Sequence, residues 1–248
     1  MNEQRLSLRL AYDGTDFVGW QIQKTGRTVQ GELEAVLGVM HGHDVRVVAA
    51  GRTDSGVHAR GQVVHYDSDA TVPIENIPKA LNSKLPRDVR IIECRRVSDD
   101  FHARFSARLR EYSYYIEPAT YSDPFSRRFV LTVKSCPPIE ALNECAARFV
   151  GTKDFTSFSA AGDQSKSKIR SIRSASFRFE GRFVVFHVAA NAFLWKMVRS
   201  MVGTILESCR APDPSRRVDE ILDARDREAA GSTAPSKGLF LARVHYDR

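Results

Sequence analysis

The sequence predicts an α+β protein built from two similar halves. Several short runs alternate apolar with polar residues, which is typical of half-buried strands. Other segments repeat their apolar residues every three or four positions, as surface helices do. These segments follow one another in the order β-α-β-β-α-β, and the order occurs twice in 248 residues. With 42% hydrophobic positions, the chain can bury one large core or two smaller ones.

The first half begins with a strand and a helix. In Arg5–Tyr12 every second residue is apolar, and Asp13-Gly14 then indicates a turn. Thr28 is a predicted N-cap, because a threonine hydroxyl accepts a hydrogen bond from the first helical turn. The helix extends from there to Met40, with its apolar residues on one stripe.

Two more strands, a second helix and a closing strand complete this half. The two β-rich runs, 45–50 and 61–66, lie on either side of the loop GRTDSGVHAR. A helix is predicted from Pro73, since proline is favoured at the first helical position. A strand at 89–97 follows, and we assign residues 1–105 to the first domain.

The second half, residues 106–248, repeats this order. Its predicted elements are a strand at 109–116, a helix at 138–150 ended by Gly151, strands at 169–179 and 183–190, a helix after Asn191 and a strand at 239–246. The charged, Pro-rich stretch 210–237 is predicted to be a surface connection that contains a short helix. The duplicated order is the ferredoxin-like, or RRM-like, pattern of a mostly antiparallel sheet with helices on one face.

Charge and cysteine content narrow the class of protein. The formal net charge is +7, which favours a polyanionic partner, and several arginines lie in pairs such as Arg170 with Arg173. The four cysteines are far apart and form no CxxC pair, so we expect free thiols rather than disulfides or a zinc site. No signal peptide and no long apolar run is recognised, which predicts a cytoplasmic protein.

The loop GRTDSGVHA is the first segment that can carry chemistry. In an extended segment, residues two apart point the same way, so Arg52 and Asp54 can share one side of the loop. An arginine there keeps the carboxylate ionised. An ionised, fixed carboxylate suits a nucleophile or a stabiliser of an oxocarbenium ion. On these residues alone, a turn with a surface ion pair explains the pattern as well.

A second candidate segment is the predicted strand Arg110–Tyr115. Alternation sends Tyr112 and Tyr114 to one face of the sheet, where a ring can stack on a base while arginines such as Arg110 hold phosphates. Tyr112 is the better candidate for the core. For Tyr114, packing in the core and stacking on a base explain the pattern equally well.

The third candidate segment is 191–199. Asn191 is a predicted N-cap, and the apolar residues behind it form a buried stripe. Lys196 and Arg199 lie three apart on the opposite side, where they can contact phosphates or water. A weaker candidate is His41-Gly42-His43. This pattern can be a metal-binding fragment, but it is more typical of a solvated turn.

Four ordered motifs resemble a known family. They are Tyr12-Asp13-Gly14-Thr15 with Phe17 and Gly19-Trp20-Gln21, then GRTDSGVHA, then Asn191-Ala192-Phe193-Leu194 with Met197-Val198-Arg199, and finally Ala234-Pro235 with Gly238-Leu239 and Leu241. In this order they look like the TruA family of tRNA pseudouridine synthases, and the resemblance covers nearly the whole chain. Two positions depart from the family pattern, Ser55 and the pair Trp195-Lys196, and the tryptophan puts local RNA contacts in doubt.

The resemblance implies a function and a set of site residues. Asp54 matches the essential catalytic carboxylate of the family, Arg52 matches the arginine that pairs with it, and Tyr114 matches the tyrosine that stacks on the target base and is a candidate for the late proton transfer. The implied substrate is a uridine on the 3′ side of the tRNA anticodon stem-loop. The resemblance also implies a homodimer that needs no cofactor or metal, with a basic active-site cleft between the halves. Substrate contacts are expected at Tyr114, Arg110, Arg170, Asn191, Lys196 and Arg199.

Two other classes of function remain open on the residues alone. A non-catalytic RNA-binding module with paired RRM-like sheets explains the charge and the tyrosines, but it gives no reason for Arg52-Thr53-Asp54 between glycines. A metal-dependent phosphoesterase can use Asp13, Asp16 and Asp54, although the first two suit a turn better than a ligand set. Release of tritium from C5-labelled uridine separates the enzyme from the binder, and activity in chelator separates it from the phosphoesterase.

Overall fold

Residues 4–247 are described by a computed structural model of the chain. They form strands and α-helices in this order: β1 (Gln4–Tyr12), α1 (Val29–His41), β2 (Val48–Ala49), β3 (His58–Ser68), α2 (Ile77–Asn82), β4 (Val89–Arg96), β5 (Ala107–Pro118), β6 (Leu131–Val133), α3 (Ile139–Ala147), β7 (Gly151–Asp154), β8 (Ile169–Glu180), β9 (Phe183–Ala190), α4 (Met197–Ser208), α5 (Pro214–Ala224) and β10 (Leu239–Tyr246). The predicted mixed α+β class with mostly antiparallel pairing is confirmed. The ends of the two predicted domains, residues 1–3 and 248, lie outside the described residues.

The chain divides into two compact units whose limits differ from the predicted domains. The first unit runs to Arg108 and also takes the chain from Phe240 onward, and the second unit is Leu109–Leu239. Strand β10, which we predicted to complete the second half, begins at Leu239 in the second unit. Its residues Phe240 and Leu241 pair in parallel with β3 of the first unit. This pairing is non-local, so the order of elements along the chain does not reveal it.

In the first unit, the strands lie in the order β4-β1-β3-β10, with β2 beside β3. Strand β1 is antiparallel to both β3 and β4, and its alternate residues Leu6, Leu8 and Leu10 are fully buried. The predicted cap of α1 is confirmed, since the Thr28 hydroxyl accepts from the backbone N–H of Gly31 at 3.2 Å. Val29, Leu33 and Leu37 on the apolar stripe of α1 are buried, as expected of an amphipathic helix.

Two elements of the first unit are shorter than predicted. In the run 45–50, only Val48–Ala49 pairs with β3, so most of the run is irregular chain. The helix predicted from Pro73 begins as a 3₁₀ turn at Ile74–Asn76, and α2 proper starts at Ile77. Periodicity detects such segments, but partner strands and tight turns decide where they end.

In the second unit, the strands lie in the order β5-β9-β8-β7, and the short strand β6 pairs in parallel with β5. Strands β6 and β7 were not predicted, because each is four residues or fewer. Helix α3 ends before the predicted Val150, in a tight turn where Phe149 N–H donates to Ala146 O. Gly151, with φ of 107°, opens β7 and does not cap the helix.

The third candidate segment differs most from the prediction. Helix α4 begins at Met197, so the predicted N-cap role of Asn191 is wrong. Lys196 precedes the helix in the left-handed conformation with φ of 60°. The buried stripe is confirmed, since Val198, Met201 and Ile205 are at most 3% exposed. The short helix predicted within 210–237 is confirmed as α5, whose N-cap Asp213 accepts from Arg216 N–H at 3.0 Å.

None of the helices in residues 4–247 combines the length and the apolar composition that crossing a membrane requires.

Candidate active site

Asp54 lies in the loop between β2 and β3 in the first unit. Its side chain is half-buried, whereas Arg52, two residues earlier, is exposed. Thr53 between them is buried, which fits the alternation that the extended loop predicts. The pairing of Arg52 with Asp54 stays a prediction.

The backbone of this loop is held by the chain segment that follows β1. Trp20 N–H donates to Thr53 O at 3.0 Å. The hydroxyl of Ser55 and the N–H of Gly56 both donate to Phe17 O, at 3.2 and 3.3 Å. Hydrogen bonds thus hold the loop backbone on both sides of position 54. The segment 12–21, which begins with the last residue of β1, is therefore part of the candidate site and not only a turn.

Two further contacts, made by residues at the start of the same segment, also support the loop. The hydroxyls of Tyr12 and Thr53 are 2.7 Å apart and both are buried. At the other end of the loop, Gly14 N–H donates to Nδ1 of His58 at 3.0 Å. The His58 ring is fully buried and stacks on Phe240, with 4.6 Å between the ring centroids. These contacts fix the loop at its entry and at its exit.

Two glycines allow this close approach of backbones. A Cβ on Gly14 would lie 2.0 Å from Val57 O, and backbone cannot move aside cheaply. A Cβ on Gly19 would lie 2.9 Å from Thr53 O, and its φ of 114° strains any L side chain. In the sequence, Gly14 is both a turn residue and part of the family motif, and Gly19 is part of that motif only. The presence of glycine on both sides of Phe17 was the signal that could have indicated a close backbone contact.

This arrangement suits covalent or general-base chemistry at a carboxylate. A reacting group is effective when its position is fixed before the substrate arrives, because little freedom is then lost in the transition state. The loop meets this condition by backbone hydrogen bonds. Asp54 retains partial exposure, so a substrate can reach it.

Tyr114 occupies a different environment from the one expected of a stacking ring. It is 0% exposed, and its hydroxyl donates to Pro235 O at 2.8 Å. Burial raises the pKa of this hydroxyl, and the nearby guanidinium of Arg199 only partly offsets the effect. A Cβ on Gly238 would lie 2.8 Å from the Tyr114 ring, so the ring is tightly enclosed. The structure gives Tyr114 no free ring face, and its stacking role stays a prediction that this burial opposes.

Tyr112 is on the same side of β5 and is only half-buried. Its ring meets the edge of Phe193, with 5.0 Å between centroids and an interplanar angle of 82°. The prediction that Tyr112 belongs to the core is therefore only partly met. Of the two tyrosines, Tyr112 is the one whose side chain is partly exposed and can contact a ligand.

Three of the predicted substrate contacts meet at the junction of β5, β8 and β9. A guanidinium N–H of Arg110 donates to Asn191 O at 2.7 Å, and the Asn191 side-chain oxygen accepts from Ser171 N–H at 3.0 Å. Arg170 precedes Ser171 on β8 and donates to the backbone oxygens of Ser167 and Ile169. Burial lowers the pKa of Arg170. Asn191 thus acts as a brace between strands in place of the predicted helix cap.

Lys196 lies beside an exposed aromatic ring. Its ammonium is 4.7 Å from the ring centre of Trp195, which is 44% exposed. The backbone N–H of Trp195 donates to Asp163 at 2.6 Å, and Asp163 also pairs with Lys168 at 2.6 Å. Lys196 also lines a depression of about 440 Å³ together with Arg227. The tryptophan that departs from the family pattern therefore forms a rigid cation–aromatic surface.

Arg199 is held on the first turn of α4 by the closing segment. Its Nε donates to Ala234 O at 2.7 Å, and Ala234 N–H donates back to Arg199 O at 3.1 Å. Lys196 precedes the helix, so the prediction that Lys196 and Arg199 share one exposed helix face is wrong. Part of the Arg199 guanidinium is used to dock the chain next to Pro235.

Potential metal ligands occur elsewhere in the first unit. Within residues 4–247, one group of side chains has ligand atoms at mutual metal-binding distances, and it consists of His41, His43 and Asp69. The phosphoesterase alternative requires Asp13, Asp16 and Asp54 to form such a group. Among the described residues they do not.

An α+β fold, a carboxylate on a braced loop and several surface cations are the features of an enzyme that acts on a polyanion. The family model described as tRNA pseudouridine synthase matches residues 10–106 and 145–247. A tRNA pseudouridine synthase A of Halalkalibacterium halodurans is 46% identical over 241 residues, which are 97% of this chain and 92% of the relative. Proteins of the same name from Treponema denticola and an Exiguobacterium species are 44% and 40% identical, and they cover 99% of this chain and 94% and 99% of their own lengths.

The chain therefore belongs to the tRNA pseudouridine synthase family, whose members are isomerases of uridine in tRNA. The match includes both the Asp54 loop and the 12–21 segment that supports it.

We expect Gly14→Ala to reduce turnover by about 100-fold or more, because the added Cβ displaces the loop and an error near 1 Å at a reacting group costs about that much. Tritium release from labelled tRNA measures the turnover, and a thermal melt checks folding. Gly51→Ala is the matched control, since a Cβ there meets nothing within 4 Å. Its melting temperature should equal that of the parent. Full activity of Gly14→Ala would show that the backbone contact does not position the carboxylate.

We also expect Lys196→Ala to weaken tRNA binding and to lower the slope of log K against log salt by about one phosphate contact. The exposed Lys134, also in the second unit, is the control and should leave the slope unchanged when replaced by alanine. Arg199→Ala should lower the melting temperature as well as the affinity, because it also loses the bond to Ala234. An unaltered slope for Lys196→Ala would place this lysine outside the phosphate contacts.

Proposed function

We propose that this protein isomerises uridines on the 3′ side of the tRNA anticodon stem-loop, with Asp54 as the essential carboxylate. The observation that carries the assignment of Asp54 is its place on a loop braced by Trp20, Phe17 and Gly14. A surface turn with an ordinary ion pair has no need of such support. The choice of the anticodon stem-loop rests on the resemblance to the TruA family.

The chemistry requires few protein groups. The C1′–N1 bond of uridine breaks, the uracil turns while it remains bound, and C1′ joins C5. C5 then loses its proton and N1 takes up a proton, so that the product is an isomer of the substrate. The change is redox-neutral. Asp54 either attacks C1′ and forms a covalent sugar ester, or removes the 2′ proton to give a glycal. Arg52 favours the ionised carboxylate in both routes.

The target base must leave its stack before the carboxylate can reach C1′. An aromatic ring can then replace the lost stacking. Because Tyr114 is enclosed, we assign this task to Tyr112, whose ring is only half-buried. Tyr114 remains a candidate for the late proton transfer only if the segment around Pro235 opens, since its hydroxyl is bonded there.

The finer architecture also belongs to this proposal. It comprises two ferredoxin-like halves, a basic cleft between them for the tRNA stem, and a homodimer. The cations of the second unit, Arg110, Arg170, Lys196 and Arg199, support a tRNA-binding role for its sheet end. A cytoplasmic location follows from the proposed substrate.

The decisive variant is Asp54→Asn. Asparagine has nearly the same shape but cannot act as an anionic nucleophile or base, so turnover should fall below detection while tRNA affinity changes little. Tritium release, tRNA binding and a thermal melt are measured together, with the exposed Asp100→Asn as the matched control. Retained turnover by folded Asp54→Asn would refute the assignment. Tritium release by the parent excludes the alternative of a non-catalytic RNA-binding module.

The two tyrosines make separable predictions. Tyr112→Ala should weaken the productive complex by about 1–3 kcal/mol through lost stacking, and the lost contact with Phe193 should lower stability by about 1 kcal/mol. Tyr114→Phe should lower stability by about 1 kcal/mol through the lost hydrogen bond to Pro235, with turnover close to the parent. Steady-state kinetics and urea unfolding measure these effects. A large loss of turnover in folded Tyr114→Phe would restore the proton-transfer role to Tyr114.

Turnover should be unchanged in excess chelator, because the proposed steps use only a carboxylate and groups of the substrate. As a control, the tRNA is refolded in monovalent salt, which keeps its structure constant when divalent ions are removed. Any change in turnover then reports on the enzyme alone. A loss of turnover that a divalent metal restores would contradict the cofactor-free mechanism.

A further inference from the structure

A histidine-rich cluster lies at the end of α1, apart from the Asp54 loop in its residues and contacts. Nδ1 of His41 is 2.6 Å from one carboxylate oxygen of Asp69, and Nε2 of His43 is 3.0 Å from the other. The two imidazole centroids are 5.7 Å apart. One carboxylate thus holds two imidazoles so that three ligand atoms converge within 4.8 Å of one another.

The local fold builds this convergence from a helix end and a strand end. His41 is the last residue of α1, and Gly42 caps the helix in the left-handed conformation with φ of 76°, donating to Gly38 O at 2.9 Å. This reversal brings His43 back beside His41. Asp69 directly follows β3, whose position is set by its pairing with β1. The cluster therefore does not depend on a mobile side chain reaching across the surface.

The three side chains differ in their exposure to solvent. His41 is 0% exposed, Asp69 is 26% exposed and His43 is 54% exposed. The buried His41 ring meets the edge of Tyr66, with 5.7 Å between centroids, and its Nε2 has no hydrogen-bond partner. Packing thus orients the inner imidazole, while the outer side of the cluster stays open to an ion and to water.

The electrostatics of the site favour a cation. Asp69 supplies a carboxylate whose two oxygens face the two imidazoles. The backbone carbonyls at the C-terminus of α1 add a partial negative charge next to His41. Two neutral imidazoles and one carboxylate make a donor set of net charge −1.

We propose that His41, His43 and Asp69 bind a divalent transition-metal ion, with Zn²⁺ as the ion of choice, and that this ion ties the end of α1 to the end of β3. The ligand atoms are Nδ1 of His41, Nε2 of His43 and a carboxylate oxygen of Asp69. Two imidazoles and a carboxylate suit zinc, and three protein ligands leave a fourth tetrahedral position for water. The exposed side of His43 provides the entry path.

The role of the ion is structural, and it does not belong to the isomerase chemistry. The cluster shares no residue with the loop that carries Asp54. The bound ion replaces the hydrogen bonds between Asp69 and the two imidazoles, and the proton on each coordinating ring nitrogen moves to the other nitrogen of that ring. The predicted indifference of turnover to chelator and a zinc site at this position are therefore compatible.

The test is titration of the tag-free, metal-stripped full-length protein with Zn²⁺ in competition with a chromophoric chelator. We expect one saturable equivalent and a rise of several degrees in melting temperature. His43→Ala and Asp69→Asn should each weaken this binding by about 10–100-fold. Asp44→Asn, an exposed carboxylate next to His43, is the matched control and should bind like the parent.

Cobalt absorption gives a second readout that does not depend on stability. Co²⁺ bound by the two imidazoles and the carboxylate should show visible d–d bands that disappear in His43→Ala. His43 is exposed, so this variant folds even if the buried His41 cannot be replaced. Equal zinc affinity of the parent and both ligand variants, or no saturable binding below about 1 mM, would overturn the proposal.

Discussion

The site depends on one close contact between two stretches of backbone. The chain after β1 runs against the Asp54 loop so closely that Gly14 and Gly19 have no room for a side chain. The hydrogen bonds from Trp20 to Thr53 and from Gly56 to Phe17 follow from this approach. A carboxylate held in this way needs no rearrangement when substrate arrives, which is the condition for effective catalysis by a single group.

In the second unit, contacts with the backbone likewise hold cationic and aromatic side chains in place. Arg110 and Arg199 each use part of their guanidinium to bond a carbonyl of the protein, at Asn191 and Ala234. A long side chain that is already ordered loses less entropy when it binds a phosphate. In the proposed function such residues contribute to the fold and to the RNA surface at once, so we expect their substitution to affect both.

The two tyrosines of β5 differ in burial. Strand alternation places Tyr112 and Tyr114 on one face, but it contains no information about what covers that face. The segment that ends at Gly238 covers Tyr114 and leaves Tyr112 partly open. A residue far along the chain therefore decides which of the two rings is exposed. The cluster at His41 illustrates the same point, since its third member, Asp69, is 28 residues away.

The sequence by itself determined the α+β class, most strands and helices, the cap of α1, and, through ordered motifs, the family. These depend on local periodicity and on short residue patterns, which are visible without knowledge of contacts. Only the tertiary structure decided that β10 pairs with β3, that Asn191 braces strands while α4 starts at Met197, and that Tyr114 is enclosed. Each of these depends on pairing between distant segments, and the free energy of such contacts is not encoded in any one stretch of the chain.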